Sequence, residues 1–269
     1  MIRMKMRNFF FLAAAFAALS VSSLLMAGKP AAMPQAREAP VVVHAPSWQH
    51  AAYWASVDHG LLVDFADLAA FHKADLKLGP PAPGQDRVVF MGDSITQIWN
   101  LQKSFPGEPY INRGISGQTS MQMLIRFRQD VIDLKPKVVV ILAGTNDLAQ
   151  NTGPETLEDI ENNLMSMAQL ARANGIRAVL CSVLPSVHYW WHPELKDPAP
   201  RIVALNKWIK AYAAKQDYVY VNYYSAMADS AGGLPHNLSH DGVHPSAAGF
   251  AVMAPLAQAG IEKALKGRS

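Results

Sequence analysis

The chain has 269 residues, half of them hydrophobic and only 17% charged, a balance that suits a large folded core and excludes a disordered chain. Its formal charge of +3 is a local effect: Arg3, Lys5, Arg7 and Lys29 fall in the first 33 residues, which hold no acid, and the remainder balances at −1. That excludes the net basic surface of a nucleic-acid binder.

Read in chain order, Arg3, Lys5 and Arg7 precede a nearly unbroken apolar run from Phe9 to Ala27. A positive start followed by an apolar stretch is the pattern of a secretory signal peptide, so residues 1–27 predict export, to the periplasm or out of the cell. The 19-residue run almost suffices to span a bilayer, and an uncleaved anchor is the alternative; in that case this segment is the only membrane contact expected. Residues 28–45, rich in Ala and Pro, read as a linker. Residues 46–84 read as a helical extension packed on the main domain. Trp48, Tyr53, Trp54, Leu61, Leu62, Phe65, Leu68 and Phe71 recur there at mostly helical spacings, as core residues, before Pro80-Pro81-Ala82-Pro83-Gly84 ends the pattern.

From residue 85 to the end, apolar runs of strand length alternate with amphipathic stretches. Strands are predicted near 87–91, 109–112, 137–142, 176–182 and 218–222, and helices near 95–103, 119–133, 155–173, 201–215 and 246–265. Pro154 followed by Glu155, Glu158 and Asp159 marks a helix start, and Asn174-Gly175 a helix stop. The strands look buried on both faces and every connection contains a helix, so the sheet is expected to be parallel within one three-layer α/β domain. Cys181, the only cysteine, allows no internal disulfide; it sits in an apolar strand and reads as a buried thiol.

In such a sheet, ligands bind beyond the carboxyl ends of the strands, so the loops there carry the information. The first holds Gly92-Asp93-Ser94, the second Asn112-Arg113-Gly114-Ile115-Ser116-Gly117-Gln118, and the third Gly144-Thr145-Asn146-Asp147. Before the last helix comes Asp241-Gly242-Val243-His244-Pro245. Together they supply a hydroxyl, backbone N–H groups bared by glycine, a side-chain amide and an Asp-x-x-His pair, which is the equipment for acyl transfer. A serine needs a base within reach, for which His244 suits, and the imidazole needs a carboxylate, Asp241, to fix its tautomer and stabilise its charge. The N–H groups of Ser94 and Gly114 and the amide of Asn146 are the expected oxyanion donors.

These four blocks resemble those of the SGNH (GDSL-type) hydrolase superfamily: Gly-Asp-Ser-Ile at 92–95, Gly114, Gly-Thr-Asn-Asp at 144–147 and Asp-Gly-Val-His-Pro at 241–245. The resemblance spans roughly residues 85–265, with Ile95 where the family often has Leu. It implies a flavodoxin-like α/β/α fold with a five-stranded parallel sheet of order 2-1-3-4-5, and an esterase mechanism that uses no cofactor and no metal. Within the superfamily the chain is similar to bacterial acylhydrolases related to platelet-activating-factor acetylhydrolase subunits, to lysophospholipase L1-like esterases and to carbohydrate acetylesterases.

Two rival readings are weaker. His236, His240 and His244 recur every four residues, a metal face if helical, but Pro235, Gly242 and Pro245 break that helix. The Gly-x-Ser-x-Gly nucleophile elbow of another hydrolase fold fails at Gln118 in its nearest match, residues 114–118. Residues 184–200 are too long for a plain connector. Tyr189, Trp190 and Trp191 there, with Arg113 and Gln118, are the candidate substrate-binding residues. The expectation is an exported serine esterase acting on small-molecule, carbohydrate or lipid esters, with acetyl-sized acyl groups preferred because no long apolar segment is present to form a lid. A lysophospholipase or thioesterase of broader acyl tolerance, or a non-catalytic carbohydrate-binding protein on the same fold, are the alternatives.

Overall fold

A computed structural model of the chain describes residue 60 and residues 62–267. The export segment 1–27, the linker 28–45, and Trp48, Tyr53, Trp54 and Leu61 of the extension lie outside the described residues.

Five strands form one sheet: β1 (Val88–Gly92), β2 (Tyr110–Gly114), β3 (Val138–Leu142), β4 (Arg177–Cys181) and β5 (Val219–Val221). All neighbours are parallel and the order is β2-β1-β3-β4-β5, as the resemblance implied. Every residue of β1 and β3 is buried, because helices cover both faces of a parallel sheet. The side chains alternate between two cores. Val89, Met91, Val139, Ile141 and Leu180 face one, packed by α4 (Ser120–Asp130), α6 (Leu157–Ala173) and α7 (Ala199–Gln216). Val88, Phe90, Val138, Val140 and Cys181 face the other, packed by α9 (Ala247–Lys266) and the short turns after β1. Each Val- to Phe-sized side chain so buried contributes about 1.5–3 kcal/mol.

Local chemistry sets the helix ends. Thr156 and Asp159 form a capping box that starts α6 two residues after Pro154, Thr119 and Gln122 do the same for α4, and Ser246 caps α9 through the Gly249 N–H. The helix predicted over 95–103 is instead two single turns, α2 (Ser94–Gln97) and α3 (Leu101–Ser104). Asn100 caps the second through the Lys103 N–H, and Asn112 Nδ2 takes up the carbonyls of Thr96 and Trp99 at 2.6 and 3.1 Å. The break lets Trp99 enter a buried aromatic cluster, 5.6 Å from Phe90 and 5.2 Å from Phe250. Two further short turns, α5 (Thr145–Leu148) and α8 (Tyr223–Met227), follow β3 and β5.

In the described part of the extension, α1 (His72–Leu78) buries no residue, and Leu62 and Leu68 are exposed, contrary to the core role expected of them. The segment is held by side-chain amides that reach its carbonyls: Gln118 to Ala66 at 2.9 Å, Gln122 to Phe65 at 2.6 Å and Gln129 to Leu68 at 2.7 Å. Among the described residues, no helix is long and apolar enough to cross a membrane.

Candidate active site

β1 ends at Gly92, and Asp93, in extended conformation, caps α2 by accepting the Ile95 N–H at 2.9 Å. Ser94 is therefore the first helical residue, at the carboxyl edge of the sheet. Its Oγ lies 2.9 Å from His244 Nε2. His244 Nδ1 lies 2.6 Å from Asp241 Oδ2. The other oxygen of Asp241 accepts the N–H groups of Val243 and His244 at 3.0 and 2.8 Å and the Ser239 hydroxyl at 3.1 Å. One carboxylate thus folds its own turn and orients the imidazole. Partial burial pushes its pKa up, but the hydrogen bonds from the His244 ring and the two backbone N–H groups outweigh this and hold it well below the usual carboxylate range. An ionised Asp241 assigns the imidazole proton to Nδ1 and leaves the Nε2 lone pair facing Ser94.

The expected donor Gly114 needs correction. Its N–H is taken by Asn112 Oδ1 at 2.8 Å. It is glycine for another reason: a Cβ there would lie 2.2 Å from the Gln97 nitrogen, so β2 could not approach α2. Three residues on, Gly117 adopts a positive φ of 78° that leads into α4, and among the described residues its N–H has no acceptor. Its carbonyl accepts from Asn151 Nδ2 at 3.0 Å, which fixes Gly117 beside the loop that carries Asn146. Asn146 is buried; its Nδ2 gives one hydrogen to the Gln118 carbonyl at 3.0 Å, leaving the second free. The free donors at this edge are therefore the N–H groups of Ser94 and Gly117 and one N–H of Asn146. Ile115-Ser116-Gly117, a glycine before a helix cap, was the available signal for Gly117.

Beneath these loops lie buried charges. Arg126, wholly buried, spans the carbonyls of Gly92 and Arg113 at 3.0 and 2.9 Å, pairs with Asp130 at 2.9 Å and donates to Gln118. Asp147 accepts from the N–H and hydroxyl of Ser120; burial pushes its carboxyl up against those bonds, and burial beside it pushes Glu155 up to about 7.

The five candidate substrate residues divide. Arg113 is buried, paired with Asp75 and held 4.6 Å over the Phe71 ring. Gln118 is buried, with its amide spent on Ala66 and Arg126. Tyr189 is 1% exposed and packs 5.2 Å from Trp191. Arg113 and Gln118 are bonded to the body of the fold, and the Tyr189 hydroxyl, though without a hydrogen-bond partner among the described residues, is buried away from the cleft surface. Trp191 Nε1 donates to Asn151 at 2.9 Å. Trp190, 57% exposed, lines an open cleft of about 360 Å³ with His188, His236, His240, Leu234 and Asp241. The His236 and His240 rings meet edge to face at 5.2 Å while both nitrogens of His244 are engaged by Ser94 and Asp241. The three imidazoles therefore do not converge on one point.

The profile of the GDSL-like Lipase/Acylhydrolase family matches residues 90–252, more than half of the chain. A crystal structure of a GDSL-like lipase from Bacteroides thetaiotaomicron is 43% identical, with a TM-score of 0.73, over 75% of this chain and all of that one. Esterase TesA of Pseudomonas aeruginosa is 32% identical over 60% of this chain and 80% of its own length. An acetylxylan esterase of Geobacillus stearothermophilus is 24% identical over 63% of this chain and 90% of its own.

Proposed function

Because the chain belongs to the GDSL-like lipase/acylhydrolase family and is a carboxylic ester hydrolase, we propose that it is an exported serine esterase that removes acetyl-sized acyl groups through an acyl-enzyme. The observation that carries this reading is the continuous relay from Ser94 Oγ to His244 at 2.9 Å and from His244 to Asp241 at 2.6 Å.

Ser94 Oγ attacks the ester carbonyl carbon and its proton passes to His244 Nε2. The carbonyl oxygen becomes an oxyanion, held by the N–H groups of Ser94 and Gly117 and the free N–H of Asn146; one such donor contributes about 3–4 kcal/mol to the transition state. The C–O bond to the alcohol breaks, and the alcohol leaves with the proton from His244. Water, deprotonated by the same imidazole, then cleaves the acyl-Ser94 ester and releases the acid.

Support for a small acyl group and a polar alcohol comes from the cleft beside Asp241. Its walls are one exposed tryptophan and three imidazoles, with Leu234 as the aliphatic member. Such a face stacks on a sugar or polyol ring and hydrogen-bonds its hydroxyls better than it covers an alkyl chain. The similarity to an acetylxylan esterase points the same way. Export rests on the basic and apolar pattern of residues 1–27.

The test is intact mass after treatment with a serine-directed fluorophosphonate, beside hydrolysis of p-nitrophenyl esters from acetyl to dodecanoyl. One adduct, lost in Ser94→Ala together with roughly a 10⁴-fold or greater part of the rate, and a maximum at acetyl are expected. A maximum at hexanoyl or beyond replaces the acyl preference with a lysophospholipase-like one. No adduct and no turnover overturns the mechanism in favour of a binding protein.

A further inference from the structure

We propose that Asn151 is the positioning residue of the oxyanion hole, and that Trp191 fixes the direction in which it acts. This rests on the reading of Gly117 and Asn146 as oxyanion donors.

A side-chain amide can sit either way round, and only one way presents N–H groups to a negative charge. Asn146 Oδ1 accepts from Asn151 Nδ2 at 3.0 Å, so the Asn146 nitrogen must face the other side, toward the Gln118 carbonyl and the free edge of the site. The second hydrogen of Asn151 Nδ2 goes to the Gly117 carbonyl at 3.0 Å. One NH2 group therefore holds both donor-bearing loops. Its direction is set by Trp191, whose indole nitrogen donates to Asn151 Oδ1 at 2.9 Å and cannot accept. The polarity runs one way: indole N–H to Asn151 oxygen, Asn151 NH2 to Asn146 oxygen and Gly117 carbonyl, Asn146 NH2 to the substrate oxygen. The Asn151 backbone N–H, bonded to the Asn146 carbonyl at 3.0 Å, clamps the two residues in one turn. Without the Asn151 bonds, the Gln118 carbonyl alone orients the Asn146 amide, and neither that amide nor the Gly117 loop is held rigidly against the developing charge.

The measurement is kcat and KM for p-nitrophenyl acetate on the full chain, with thermal unfolding and the rate of fluorophosphonate inactivation, whose phosphonyl oxygen occupies the same hole. Asn151→Ala and Asn151→Asp are expected to lower kcat and the inactivation rate roughly 10- to 100-fold with KM within about twofold. Trp191→Phe, which keeps a smaller aromatic ring and deletes the indole N–H, lowers kcat roughly 3- to 10-fold. In an Asn146→Ala background, Asn151→Ala costs less than about a third of its factor in the wild type, since half of what it holds is gone; a residue that merely tied loops together would cost the same in both. Equal loss in the two backgrounds, or kcat within twofold of the wild type in Asn151→Ala, overturns the proposal. Should Asn151→Ala not fold, unchanged kcat in Trp191→Phe overturns it. If Asn146→Ala also leaves kcat unchanged, the oxyanion reading beneath it falls as well; if Asn146→Ala is impaired and Asn151→Ala is not, only the positioning role falls.

Discussion

Two loops reach the carboxyl edge of the sheet and contribute to the same site, yet they are built differently. The turn at 239–245 orients itself: Asp241 binds Ser239, Val243 and His244, all within three residues, and the ring it holds is its own neighbour's. The loop at 112–120 is oriented from outside. Arg113 is set by Asp75 and Phe71, Gln118 by Ala66 and Arg126, and Gly117 by Asn151. A self-contained turn brings its function with its sequence. A loop whose polar groups are spent on distant partners reveals its free groups only once those partners are in place.

The comparison breaks first at Asp241. Asp241→Asn keeps an oxygen for the Val243 and His244 N–H groups, so the turn and the circular dichroism spectrum are retained. The imidazole loses its tautomer, and kcat on p-nitrophenyl acetate falls roughly 10⁴-fold. A loss under tenfold would mean that the turn does not orient the base. On the other loop the largest effect is on stability. Arg126→Met strands Asp130 and the carbonyls of Gly92 and Arg113 in the interior, at a cost of about 3–5 kcal/mol in urea unfolding. A cost below about 1 kcal/mol would show that the second loop does not need its buried support.

The same contrast explains what was legible in the sequence. The strands, their parallel arrangement and the long helices follow from hydrophobic period and local caps such as Thr156 with Asp159, and all five strands lie within two residues of their predicted ends. Ser94, Asp241 and His244 converge because each sits where its own turn puts it. Gly114 misled because a glycine after a strand has two physical causes, a bared N–H or a close approach, and only the position of α2 tells them apart. The helix over 95–103 misled because its period continues through Trp99, while Asn112, on the next strand, supplies the bonds that allow it to break. Arg113 and Gln118 looked available because the segment that occupies them lies about 40 to 50 residues away in sequence.

A sharper test of the buried support uses pH. Burial raises Glu155 from its ordinary 4.5 to about 7, with the charge of Asp147 adding to the shift. The folded chain therefore keeps a proton that the unfolded chain releases. The stability this proton supplies is full below about pH 4.5 and is lost as pH rises through 7. Glu155→Gln removes that linkage, so the fall in unfolding free energy between pH 5 and pH 8 shrinks by an amount on the order of 1–2 kcal/mol. It does not vanish, since burial also raises Asp93 to about 7 and that group remains. An unchanged slope in urea titrations at the two pH values would place the Glu155 proton elsewhere.

The smallest effect belongs to the ion pair that removes Arg113 from the substrate site. Asp75→Asn keeps an oxygen for the guanidinium and the Phe71 ring beneath it, and loses only the charge. Stability is expected to fall by about 1 kcal/mol. KM for p-nitrophenyl acetate stays within about twofold, because the guanidinium remains bonded to the Asn112 carbonyl and stacked on the ring. Were Arg113 instead a substrate ligand restrained by Asp75, neutralising Asp75 would release a cation beside the site, and KM for an anionic ester would drop while that for a neutral one would not. Comparing p-nitrophenyl acetate with a mono-p-nitrophenyl succinate therefore separates the two. Equal KM ratios in Asp75→Asn and the wild type keep Arg113 in the scaffold, and a ratio shifted tenfold toward the anion would return it to the site.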